Sequence, residues 1–355
     1  MASENALRFS WLSLVMVAMD PSNSTVTCPL MIPPGAVVTP PVLPMSEAGS
    51  AGGSGSVRIV LPISSEQAKG EIMKWTIGEV TITKVAEMEQ PLPLAGLLPN
   101  ATVEALEPHK EWLKPHFIDD EGGATLSIHA LIIESDGLRI LVDTCVGDRD
   151  VPGIPGFHGD PTFPDRLAAA GHPVESIDIV CCTHMHFDHV GWNTRPEGDR
   201  QVPTFPNARY LFCRTEHDHW MSVTDDGYAS TIADTVTPIM EAGLADLVDP
   251  DHVVSSSVRF IPTHGHSPGH MSVLIESNGE RALITGDATH HPVQWAEPGW
   301  GMAADWDGAM GAATREFMRA EYGDGETLVI GTHYAAPSAG HIVLVDGGWQ
   351  FRALV

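Results

Sequence analysis

The chain has 355 residues, 43% of them hydrophobic, with 9 Trp and 10 Phe, which supports a large packed core and excludes a disordered or fibrous protein. Its formal charge of −27 repels nucleic acid and anionic membrane, and no run of Lys or Arg interrupts that field. Cys28, Cys145, Cys181, Cys182 and Cys213 form neither a CxxC pair nor an even framework, so buried free thiols are expected rather than disulfides.

Trp11 to Met19 is a short apolar stretch, but Asp20 ends it, no small-residue cleavage pattern follows, and no apolar run reaches the ~18–20 residues of a spanning helix. A cytoplasmic protein is expected. Residues 21–57 hold seven Pro, five Gly and a single charged residue, Glu47, so 1–72 reads as a flexible leader or extension and 73–355 as the folded domain. From Met73 the pattern alternates around Gly78-Glu79 as a hairpin does, and Asp136-Gly137 joins strands at 125–134 and 138–142. Helices are expected near 101–113, 164–170, 215–221, 229–242 and 305–321. Further strands are expected near 177–182, 208–213, 258–262, 271–276, 281–285, 327–331 and 341–345. Two β-rich halves, each with its own helices, suit an α/β (α+β) fold in which two sheets pack face to face with helices outside, an αββα sandwich.

The sharpest chemical signal follows the strand that ends at Cys182: Thr183-His184-Met185-His186-Phe187-Asp188-His189. In extended chain, side chains two apart point the same way, so His184 and His186 can grip one cation, while Asp188 and His189 come at the turn into a helix. One histidine alone would be a core or surface residue; three with a carboxylate at a strand end are costly to explain as packing. Later strand ends carry more candidates: His270 closing Thr263-His264-Gly265-His266-Ser267-Pro268-Gly269-His270, Asp287 after Gly286, and His333 after Thr332.

The HxHxDH run, the later Gly-His, the Gly-Asp and the final His resemble the metallo-β-lactamase superfamily over residues 73–355. The resemblance implies the sandwich fold and two divalent metal ions, one on His184, His186 and His270 and one on Asp188, His189 and His333, with Asp287 bridging. It also implies a dimer, and Asp143 as an outer partner of the ligands. Nitrogen and carboxylate donors suit zinc, with Mn, Fe or Co also fitting. Such a pair shares a water and lowers its pKa toward ~7, which makes hydroxide the nucleophile without a Ser or Cys. Phe187-Asp188-His189-Val190-Gly191-Trp192, Phe205-Pro206-Asn207-Ala208 and Gly286-Asp287 with His290, Pro292 and Gln294 are similar to the branch of lactonases, arylesterases and methyl-parathion-type phosphotriesterases.

Where lactonases of the superfamily place a tyrosine this chain has His290, a candidate donor of the leaving-group proton beside Asp188 in the reacting set. His266 is expected behind the ligands, with His264 and His291 there or at the surface. Trp192, Trp295, Trp300 and Met302 follow ligand motifs and are candidates for an apolar substrate wall, with Trp306 beside them; core packing is the competing reading. Between Phe260 and Thr314 only Arg281 is basic, so a small uncharged ester, lactone or phosphotriester fits better than an anion. A mononuclear iron sulfur dioxygenase or a non-catalytic metal binder are the alternatives, and the filled second-site positions count against the first.

Overall fold

The computed structural model describes residues 72–151, 157–224 and 226–355, so the expected leader, Ile72 aside, and Cys28 lie outside the described residues. Chain order gives β1 (Met73–Ile77), β2 (Val80–Pro93), β3 (Gly123–Ser135), β4 (Leu138–Val142), β5 (Ile179–Cys181), β6 (Thr194–Glu197), β7 (Arg200–Pro203), β8 (Arg209–Cys213) and β9 (Ala245–Val248). The second half contributes β10 (Val258–Pro262), β11 (Met271–Ser277), β12 (Glu280–Ile284), β13 (Leu328–Ile330), β14 (Ala339–Val345) and β15 (Gly348–Ala353). They assemble a seven-stranded sheet in the order β1-β2-β3-β4-β5-β8-β9, a six-stranded sheet running β10 to β15, and a small β6-β7 hairpin.

Strand faces alternate between two cores, as a pleat requires. Leu131 and Ile133 of β3, Leu211 and Cys213 of β8, Val273 and Ile275 of β11 and Ala282 and Ile284 of β12 meet between the sheets. The opposite face of the first sheet, through Ile128, Ala130, Ile132, Tyr210 and Phe212, packs on Phe163, Leu167, Ile232 and Ile239 from its helices. Leu274, Leu283 and Val329 on the outer face of the second sheet pack on Leu94, Leu113, Trp295, Met318 and Tyr322. These layers are the expected αββα sandwich. Cys145, Cys181, Cys182 and Cys213 are free and buried, as read from their surroundings.

Boundaries differ where proline interrupts a periodic pattern. The helix expected over 229–242 divides into Asp226–Thr235 and Thr237–Glu241, with Pro238 at the start of the second piece. The one expected over 101–113 becomes Val103–Leu106, a 3₁₀ turn at Glu107–His109 containing Pro108, and Lys110–Leu113. In both a residue lacking its N–H cannot continue the ladder. No helix among the described residues is long and apolar enough to cross a membrane.

Each sheet contains parallel neighbours: β4 with β5, and β12 with β13. Parallel strands deliver their C-terminal ends to one edge of the sandwich, where loops free of ladder hydrogen bonds can carry side chains toward a common point.

Candidate metal centre

Five loops converge at that edge: Asp143 after β4, His184–His189 after β5, Thr263–His266 after β10, Gly286–Asp287 after β12 and Thr332–His333 after β13. Asp287 lies at the middle. Its carboxylate is 3.3 Å from His189 Nε2, 3.2 Å from His333 Nε2, 3.5 Å from His266 Nε2, 3.3 Å from His290 Nε2 and 3.7 Å from His184 Nε2. Donor atoms gather in sets compatible with a cation: His184, His186 and His266; His184, His189 and Asp287; Asp188, His189 and His333; and His266, Asp287 and His290.

The structure brings His184, His186, Asp188, His189, Asp287 and His333 of the expected set together among these donors, with one correction. His266, and not His270, completes the group with His184 and His186: its Nε2 lies 2.8 Å from His186 Nδ1. His270 is turned behind the site, where its Nε2 accepts the Asp287 backbone N–H at 2.8 Å and its Nδ1 is 2.8 Å from Thr263 Oγ1. With both ring nitrogens engaged, His270 holds the Asp287 segment in place. Gly286 makes that approach possible, since it adopts φ +55 and a Cβ there would stand 2.6 Å from His270 Nε2.

A partner behind the ring fixes which nitrogen faces inward. Asp143, in a left-handed conformation at φ 61, accepts from Thr183 N at 2.7 Å and from Thr183 Oγ1 at 2.9 Å, and its Oδ2 is 2.9 Å from His189 Nδ1. His333 Nδ1 donates to the Ser127 carbonyl at 3.1 Å. His266 Nδ1 meets Asp305 Oδ1 at 2.9 Å, and Asp305 in turn accepts from Met302 N and faces Arg315. Asp305 escaped the sequence reading: it lies 39 residues from its histidine, in a segment with no ligand-like spacing.

Charge and solvation suit a cation. Burial, then the neighbouring histidines, push His184, His186 and His266 well below the usual imidazole range, leaving neutral rings with lone pairs. Burial opposes the charge on Asp287, yet His189, His333 and His290 outweigh it and hold the carboxyl well below the carboxylate range. Burial would lower His189 too, but Asp287, Asp188 and Asp143 raise it well above its ordinary value. Among the described residues, buried His184 Nε2 has no hydrogen-bond partner, as expected of a nitrogen whose partner is a metal. The residues fit such a group.

The aromatic wall needs a second correction. Trp192 is in the core of the first sheet, stacked on Phe163 at 6.2 Å with its Nε1 donating to Glu87 at 2.8 Å. Trp295 is fully buried under the second sheet. Neither faces the donor cluster as a wall, because aromatic mass beside a strand end was cheaper to bury than to expose. Trp300 and Met302 are half-buried on the loop that leads to Asp305, and Trp306 is 38% exposed. His291 points into the core, its Nε2 donating to the Phe117 carbonyl, and burial pushes it down to about 4; His264 is half-buried. A cavity of about 550 Å³ opens at Lys74–Ile77, Gly279–Arg281 and His341, away from these residues.

Two face-to-face sheets that collect histidines and carboxylates at one edge define a metal-binding sandwich protein. The chain belongs to the metallo-beta-lactamase superfamily, whose family model matches residues 123–333. An N-acyl homoserine lactonase of Bacillus thuringiensis is 26% identical over 179 residues, 46% of this chain and 65% of that protein. AttM, an N-acyl homoserine lactonase of Rhizobium radiobacter, is 26% identical over 140 residues, 38% of this chain and 49% of its own length. The chain thus spans less than two thirds of these relatives. Among solved structures, AidC, a dizinc quorum-quenching lactonase, superposes with a TM-score of 0.65 at 21% identity, covering 80% of this chain and 97% of that one. AbOPH, a hydrolase of the beta lactamase superfamily, gives 0.65 at 24% identity with the same coverage. At those identities the likeness is one of fold.

Proposed function

We propose that the protein is a hydrolase of uncharged carboxylic esters and lactones, with phosphotriesters as a further substrate class, working with two divalent cations for which zinc is the best match. The observation that carries this reading is the position of Asp287, one buried carboxylate with five imidazoles within 3.7 Å. Asp287 forms a donor group with His184 and His189, one from each triad named next, which is what a bridging ligand needs. His184, His186 and His266 would hold one cation and Asp188, His189 and His333 the other. When bound, such a pair ionises water near neutral pH and polarises the substrate oxygen on which charge develops.

The chain's own groups supply the rest. Asp143, Ser127 and Asp305 each hold a histidine by its Nδ1 and so aim Nε2 inward. The Asp188 side chain is 13% exposed, against 1% for His189, and stands where substrate enters. His290 is braced for proton donation to the leaving oxygen: its ring stacks on His333 at 5.6 Å and its backbone N–H donates to Gln294 Oε1 at 2.7 Å. Trp300 and Met302 offer apolar surface on the neighbouring loop, in keeping with an uncharged acyl or aryl group. The names of the relatives support a lactone among the substrates.

The test is a panel of an aryl acetate, an acyl-homoserine lactone, an aryl dialkyl phosphate and a β-lactam, each before and after chelation. Turnover of the acetate or the lactone, abolished by chelation, is expected. Turnover of the β-lactam alone, or ester cleavage indifferent to chelation, overturns the reading.

A further inference from the structure

We infer that Glu216 is a positioning residue that sets the spacing between the two loops holding one of the cations, an inference that rests on the two-cation reading above. Glu216 lies in the first turn of the helix Arg214–Ser222, directly after β8, and is buried. Its Oε1 accepts from Met185 N at 3.1 Å and from Trp220 Nε1 at 2.6 Å. Its Oε2 accepts from Ser267 Oγ at 2.9 Å and from Gly269 N at 2.7 Å. Met185 stands between His184 and His186, and Ser267 directly follows His266. The two loops extend from strands of different sheets, β5 and β10, so one carboxylate joins the sheets where His186 and His266 come within 2.8 Å. Trp220, held by the same oxygen as Met185, packs edge-on against His186 at 5.5 Å.

Four donors meeting two oxygens offset part of the cost of burying a carboxylate there. Glutamine has one accepting oxygen and one donating amide, so whichever way it turns, its NH₂ faces two donors that lose their partner. Aspartate keeps the charge but is one methylene short of spanning both loops. Glu216 touches neither reacting atoms nor any donor imidazole in these contacts, so its effect passes through the loops.

The experiment takes the protein loaded with Co²⁺ and withdraws the metal with a chromogenic chelator, recording the visible Co²⁺ absorption and the thermal midpoint. In Glu216→Gln one of the two ions should be held about 10–100-fold more weakly with its absorption altered, and the other should be held as in the parent. Unchanged affinity at both positions overturns the inference, as does weakening of both in step with lost thermal stability. Should that variant not fold, Ser267→Ala, which removes one neutral hydroxyl, decides: about 3–10-fold weakening of one ion supports the inference and none overturns it. A parent that holds a single Co²⁺ overturns the two-cation reading itself, and the parent's stoichiometry shows this before any variant is compared.

Discussion

His266 and His270 lie four residues apart in one loop, and their exchange of roles is testable at the scale of single side chains. His266 has its Nε2 among the donors; His270 spends both nitrogens on Thr263 and the Asp287 backbone. His266→Ala should therefore hold one ion per chain instead of two and lose at least ~100-fold in activity, while His270→Ala keeps two ions and loses less. Elemental analysis of both variants checks this; equal stoichiometry in the two would contradict the assignment. The sequence could not make this choice. HxHxDH was legible because a spacing of two in extended chain fixes a shared side, whereas in the Pro-Gly loop after β10 no periodicity says which ring turns inward.

Glu87 offers a pH test at the same scale. Burial pushes its carboxyl up to about 7, although Val146 N, Trp192 Nε1 and Gly147 N donate to it. Between the ordinary value of 4.5 and about 7 the folded protein keeps a proton that the unfolded chain has released. Stability from this group is thus greatest at low pH and falls as pH rises through that window, by roughly 3 kcal/mol in all, with no further change above it. Glutamine cannot titrate, so the unfolding free energy of the parent minus that of Glu87→Gln should fall between pH 5 and 8. A difference that stays flat would show that Glu87 is already ionised at pH 5.

Among the elements, β1 to β5, β8 and β10 to β14 were legible from apolar runs and turn residues such as Gly78-Glu79 and Asp136-Gly137. The β6-β7 hairpin, β9 and β15 were not. Thr194–Glu197 and Arg200–Pro203 are polar and short, and their pairing comes from register with each other rather than from an apolar face. Trp349 and Phe351 of β15 belong to a core that only the folded second sheet creates. The tryptophans misled for a related reason: one after a ligand motif can turn toward the site or under the sheet. Trp295→Ala should cost about 3–5 kcal/mol in denaturant unfolding while the protein still binds two ions. A large rise in KM without lost stability would return Trp295 to the substrate wall.

At the scale of the whole molecule, the sandwich was legible as two β-rich halves with helices. Its consequence, that parallel strand ends from both sheets meet at one edge, appears only in the folded topology. The centre is thereby shared: His184, His186, Asp188 and His189 come from one sheet, and His266, Asp287 and His333 from the other. A cation pair bound there bridges the halves and should stabilise the fold by mass action as well as serve chemistry.

The most direct measurement is metal content by elemental analysis, taken together with ester hydrolysis as chelator is added to the purified protein. Two ions per chain at full activity, with hydrolysis and thermal stability falling together as they are withdrawn, is the expected result. Full hydrolysis from a chain holding fewer than two ions would contradict a centre built across both sheets.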